Sequence, residues 1–180
     1  MSDVVNKSVM AGRRWLLARW LMALMCLASG MSYAAGVESL LAATMLDPDG
    51  KQVALEIYKG KPMIVNFWAR WCGPCRVEIP ELQKAHDKYK KQGLVVLGIG
   101  LENSPEAVRD FMKAYDMTYP VLLANEISDT KGIWMMQTLG NERAGLPFTL
   151  TINRQGEITS RKLGVMKPAD IEAAASALLR

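Results

Sequence analysis

Two cysteines three residues apart, in Trp71-Cys72-Gly73-Pro74-Cys75, stand where a short apolar run hands over to a long amphipathic one. Residues 62–68 (PMIVNFW) are largely apolar, as expected of a strand buried on both faces. Residues 76–92 place Ile79, Leu82, Ala85 and Tyr89 on one face and Lys84, Lys88, Lys90 and Lys91 mostly on the other, with Gly93 as the stop. That pattern predicts a helix, kinked at Pro80. A Cys-x-x-Cys at such a junction has a physical meaning. The first sulfur faces the unpaired amides and positive dipole end of the helix, which favour its thiolate. The thiolate is the nucleophile of disulfide exchange and, in reverse, its leaving group. Cys72 is therefore the candidate attacking sulfur, and Cys75, one turn deeper, the candidate resolving one. Gly73 permits close approach, and Pro74 suits the first turn because it lacks an N–H and has a fixed φ.

Other uses of the pair are weaker. The chain has three cysteines and one histidine, so no four-ligand Cys/His zinc site can be assembled. A purely structural disulfide closing so short a loop would restrict the unfolded chain little.

The remaining chain predicts an α/β domain over residues 37–180. Asp47-Pro48-Asp49-Gly50 is a turn between apolar runs 40–46 and 52–57, which together read as a β-hairpin. Residues 94–101 (LVVLGIGL) form a second buried strand, and 120–124 a third. Ser104-Pro105-Glu106 opens a helix with an N-cap serine and proline at the first helical position. A short helix follows at 130–139. Then comes a hairpin of 148–153 and 157–163 around Arg154-Gln155-Gly156, and an alanine-rich helix at 167–179. This order implies a mixed central sheet with helices on its faces. His86 is expected at the surface, and Trp71 and Trp68 at the site rim and in the core respectively.

Residues 1–34 carry Lys7, Arg13, Arg14 and Arg19 against Asp3 alone, so the excess positive charge sits there and the rest of the chain is near neutral. The basic pI near 9.0 is thus no sign of nucleic-acid binding. A basic start, the uncharged WLMALMCLASG of residues 20–30, and Ser32-Tyr33-Ala34 fit a cleaved signal peptide. An uncleaved membrane anchor is the alternative, marginal in length against the roughly 20 apolar residues of a span. Either reading exports the domain, to a periplasmic location.

Residues 65–75 (VNFWARWCGPC) resemble the active-site segment of thioredoxin. The adjoining Lys59-Gly60-Lys61-Pro62 and Arg76-Val77-Glu78-Ile79-Pro80 resemble its exported TlpA/ResA branch. The likeness continues through Gly145-Leu146-Pro147-Phe148-Thr149 and residues 152–158, so that it covers about residues 38–180. It implies a thioredoxin fold with an N-terminal β-hairpin extension, and a thiol–disulfide oxidoreductase without a cofactor. It also implies that Pro147 is the cis-proline facing the two cysteines, and that Leu146 and Pro147 present backbone to an extended substrate beside Trp71, Gly73 and Pro74. A strand-entry proline is the plainer alternative for Pro147. The chain departs from cytoplasmic thioredoxin in having Asn66 where that protein buries an aspartate. Asn66 cannot take a proton from Cys75. Glu78 matches the acidic residue of the exported branch and would exchange protons with the cysteine pair if desolvated; the alternative is a first-turn glutamate held by the helix dipole.

These readings lead to expected partners. An oxidising compartment makes disulfides by default, so the leading expectation is a monomeric reductant. Its clients would be proteins bearing disulfides or cysteine pairs, as in cytochrome c or copper-site assembly. By resemblance, a membrane dithiol protein would supply its electrons. The alternatives are an oxidase or isomerase using the same site, and a copper metallochaperone holding metal through Cys72 and Cys75.

Overall fold

The run at 62–68 becomes β3 (Met63–Trp68), every residue of it buried. Its side chains alternate between two cores. Ile64, Asn66 and Trp68 point one way, while Met63, Val65 and Phe67 point the other. The structure, a computed structural model, describes residues 36–124 and 131–180. The expected leader, residues 1–34, lies outside the described residues. Gly36–Arg180 is one compact unit.

Among the described residues, seven strands form a single mixed sheet. Besides β3 they are β1 (Thr44–Leu46), β2 (Gln52–Ala54), β4 (Val95–Gly100), β5 (Val121–Leu123), β6 (Phe148–Ile152) and β7 (Ile158–Leu163). Their order is β2-β1-β5-β4-β3-β6-β7. β3, β4 and β5 run parallel at the centre, and the hairpins β1–β2 and β6–β7 flank them antiparallel. Helices α1 (Gly73–Tyr89), α2 (Pro105–Ala114) and α4 (Pro168–Leu178) cover the face of Ile64 and Trp68. Helix α3 (Lys131–Thr138) and a helical stretch at residues 36–41 cover the other. This is the mixed α/β thioredoxin fold.

The N-terminal hairpin is present but shorter than its apolar runs suggest. Residues 36–41 are helical, and Leu55–Tyr58 turn into a 3-10 helix. Val37 with Leu40, and Leu55 with Tyr58, are three residues apart and all buried, a helical spacing that short apolar runs do not reveal on their own. Helix α1 starts earlier than expected, at Gly73, with the motif inside its first turn; a 3-10 turn (Lys90–Gln92) and Gly93 at φ 93° end it. Ser104 caps α2 as anticipated, its Oγ accepting the Ala107 amide at 3.2 Å. The first residue expected in α3, Thr130, lies outside the described residues.

The topology places the site. β3 and β6 are antiparallel with Phe67 opposite Phe148. The end of β3, from which the cysteine motif emerges, therefore lies beside the start of β6, just after Leu146-Pro147.

Candidate active site

Cys72 is the N-cap of α1. Its Sγ accepts the Cys75 amide at 3.2 Å, so one of the otherwise unpaired first-turn donors points at sulfur. The two cysteines are joined, with Sγ–Sγ 2.07 Å and Cα–Cα 5.3 Å. Cys72 retains 5% of its surface and Cys75 none. An incoming group can thus reach the disulfide only at Cys72. Pro74 lies in the first turn, where no backbone donor is needed. Added side-chain volume at Gly73 would meet nothing within 4 Å; that side of the motif is open to an approaching molecule. Trp71 is 72% exposed at the rim, whereas Trp68 is sealed in the core.

Glu78, one turn beyond Cys75, is buried. Its Oε1 accepts Asn66 Nδ2 at 2.5 Å and its Oε2 the Met166 amide at 2.9 Å. Burial pushes its carboxyl above the ordinary carboxylate range, and the bonds from Met166 and Asn66 only partly offset this. Asn66 also donates to Thr149 Oγ1 at 2.9 Å, its neighbour across the β3–β6 ladder. Asn66 Oδ1 has no partner among the described residues. An amide in this position can serve both forms of Glu78: it donates to the carboxylate and, turned over, accepts from the acid. The Tyr119 hydroxyl is pushed strongly upward by burial and secondarily by the charge of Glu78, so it stays neutral beside it.

The Leu146–Pro147 peptide is cis. Pro147 is buried and its carbonyl accepts the Gly164 amide at 2.8 Å; Leu146 is half-buried. The same segment after β7 thus ties down both Pro147, through Gly164, and Glu78, through Met166. His86 is half-buried and edge-on to Tyr119 at 6.2 Å rather than fully at the surface. Burial, then the charge of Lys90, lowers its pKa against the opposing pull of Asp87.

A second group beside the motif escaped the sequence reading. Glu102, 5% exposed, accepts the Arg70 amide at 2.5 Å through Oε1 and pairs with Arg70 Nε at 2.9 Å through Oε2. Arg76 Nε and Nη2 both donate to Arg70 O, at 2.9 and 2.5 Å. The backbone of Arg70 is therefore held at both ends, two residues before Cys72. The only sequence signal for this brace is the placement of Glu102 just past the end of β4, the strand beside β3.

The Redoxin family profile matches residues 35–178. The chain belongs to that family. It is 30% identical over 128 residues to the thiol–disulfide oxidoreductase ResA of Bacillus thuringiensis subsp. konkukian, covering 70% of this chain and 68% of that protein. It is 31% identical over 122 residues to ResA of Bacillus subtilis, covering 67% and 63%. The crystal structure of a thioredoxin-family thiol:disulfide interchange protein from Chlorobium tepidum superposes with a TM-score of 0.65 at 26% identity, covering 77% of this chain and 93% of that one. Within the thioredoxin superfamily, this Redoxin protein falls in the TlpA/ResA-like branch, and it is a thiol–disulfide oxidoreductase.

Proposed function

We propose that the protein works outside the cytoplasm as a net reductant of protein disulfides. The observation that carries the exchange chemistry is the asymmetry of the pair, with Cys72 at the surface end of α1 and Cys75 sealed behind it; the reducing direction follows from an oxidising compartment, where disulfides form by default. In the reduced protein, Cys72 thiolate attacks a client disulfide and expels one client sulfur as thiolate. Cys75 then attacks Cys72 in the mixed disulfide, releases the second client thiolate, and leaves the Cys72–Cys75 bridge. Cys75 must lose its proton for this step. Glu78 is the acceptor, since its raised carboxyl lies nearer the thiol range than an exposed glutamate would. Leu146, held in place by the buried Pro147, presents the backbone edge along which the client lies, with Trp71 at the rim.

The basic, then apolar, then small-residue character of residues 1–34 supports export, either by a cleaved signal or with the segment kept as an anchor. An exported reductant needs electrons from across the membrane, and a membrane dithiol protein is the class of donor that exchange chemistry can use. Apocytochrome c cysteine pairs and copper-assembly proteins are clients of the right chemistry.

The equilibrium reduction potential of the Cys72–Cys75 pair tests the direction. A value between about −270 and −200 mV fits a reductant, whereas one near about −120 mV marks an oxidant and overturns the assignment.

A further inference from the structure

The geometry points to Asn141 as a positioning residue that selects extended protein clients over small disulfides, by latching the loop that presents Leu146 and Pro147. The inference rests on the exchange reading above. Helix α3 ends in a Schellman turn. Gly140, at φ 99°, donates to Gln137 O at 3.0 Å, and the Asn141 amide donates to Met136 O at 2.8 Å. Asn141 is thereby fixed to the end of a helix whose Met135 and Met136, with Leu139 just beyond it, are buried in the core.

From that anchor its side chain, 5% exposed, reaches forward. Nδ2 donates to Gly145 O at 2.8 Å and Oδ1 accepts the Gly145 amide at 3.2 Å. One amide thus satisfies both backbone groups of Gly145, as a neighbouring strand would. Between the two, Ala144 sits at φ 49° with its amide on Asn141 O at 3.0 Å. That conformation is uncommon for a residue with a Cβ, and the bonds of Asn141 on either side of Ala144 hold it there.

The result is a division of the loop's backbone. Gly145 is committed to Asn141, Pro147 O to Gly164, and the amide and carbonyl of Leu146 have no backbone partner among the described residues. Leu146 therefore keeps a donor and an acceptor for an extended chain at the end of the sheet where Cys72 emerges. A polypeptide uses these groups. A small disulfide, which needs only Cys72, does not.

The test compares the reduced wild-type protein with Asn141→Ala and Asn141→Asp, using insulin as the polypeptide disulfide and 2-hydroxyethyl disulfide as the small one. For N141A the second-order rate with insulin falls about tenfold, mostly as a rise in the half-saturating insulin concentration, while the small disulfide reacts within about twofold of wild type. N141D separates latching from simple packing. Its protonated carboxyl can still donate to Gly145 O and accept from the Gly145 amide, but its carboxylate repels Gly145 O. At neutral pH, where the carboxylate prevails, its insulin rate therefore falls below that of wild type while its rate with the small disulfide does not.

Equal insulin rates for wild type and N141A overturn the latch, as does an equal loss toward both disulfides or an N141D insulin rate equal to wild type at neutral pH. A wild-type protein that reacts with the small disulfide but never with insulin overturns the exchange reading, and the latch with it.

Discussion

Replacing Glu102 isolates the brace before the cysteine motif. In Glu102→Ala the Arg70 amide, part-buried, loses a carboxylate acceptor at 2.5 Å. A hydrogen bond to a charged group contributes about 1.5–3 kcal/mol. The Arg70 side chain is 40% exposed and that of Glu102 5%, so water screens the ion pair, which adds about 0–1 kcal/mol. Removing a buried carboxylate also returns some desolvation cost, which favours the lower part of the range. The expected loss is about 2 kcal/mol. Glu102→Gln keeps one oxygen for the Arg70 amide and loses only the contact to Arg70 Nε, for a cost of about 1 kcal/mol or less. Urea unfolding of the oxidised proteins reads both. With a slope of about 1–3 kcal/mol/M, the alanine variant's midpoint drops by roughly 1 M and the glutamine variant's by less than half of that. Exchange at Cys72 slows in the alanine variant, because the Arg70 amide is no longer held and only Arg76 still ties down the Arg70 carbonyl, and is nearly unchanged in the glutamine variant. If the two variants unfold together, or if alanine costs less than about 0.5 kcal/mol, Arg70 is not held by Glu102 and the reasoning fails.

Three further outcomes are expected. Cys72→Ser abolishes exchange, whereas Cys75→Ser accumulates a Cys72-linked mixed disulfide that mass spectrometry of non-reduced protein detects; a trapped adduct on Cys75 instead would reverse the roles. Glu78→Gln slows the resolving step by about 10²–10⁴ and removes one ionisation from its pH profile. It also has a stability signature. The native carboxyl is raised above the ordinary 4.5, so the folded state keeps a proton that the unfolded chain has released. Wild-type stability relative to the variant thus declines as pH rises from that value, and levels off above the raised native one. A flat difference across that window would mean the carboxyl is not desolvated. Gly98→Ala places a methyl 3.0 Å from Trp68 Nε1, 3.1 Å from Tyr119 Cε2 and 3.3 Å from Val121 Cγ2, and is expected to cost about 1–3 kcal/mol by chemical denaturation.

Local patterning made much of the molecule readable. The strand–cysteine–helix junction was visible because a doubly buried strand and an amphipathic helix have different periods, and because Pro74 and the N-cap position leave a sulfur facing free amides. Ser104-Pro105 and Gly93 marked helix ends for equally local reasons. The N-terminal hairpin was readable only in part. Residues 40–46 and 52–57 are too short for period 2 to be told from period 3, and burial of Val37, Leu40, Leu55 and Tyr58 settled them as helical on either side of very short strands.

Glu78 marks the boundary between the two kinds of information. Its spacing from Cys75 is a property of the sequence, but a first-turn glutamate on the surface would share that spacing. Its raised carboxyl depends on α1 packing against the β3–β6 pair, and on Met166 arriving from the far side of β7. Glu102 and Asn141 belong wholly to the second kind. Each joins segments whose alignment is set by the sheet or by a helix terminus, and neither stands in a pattern that composition or periodicity can register. The chain alone determined which sulfur chemistry was available, since that follows from neighbouring residues at one helix end. The tertiary structure decided which sulfur is reachable, which carboxyl is desolvated, and which backbone groups are left open, because exposure and partner geometry are set by segments distant in sequence.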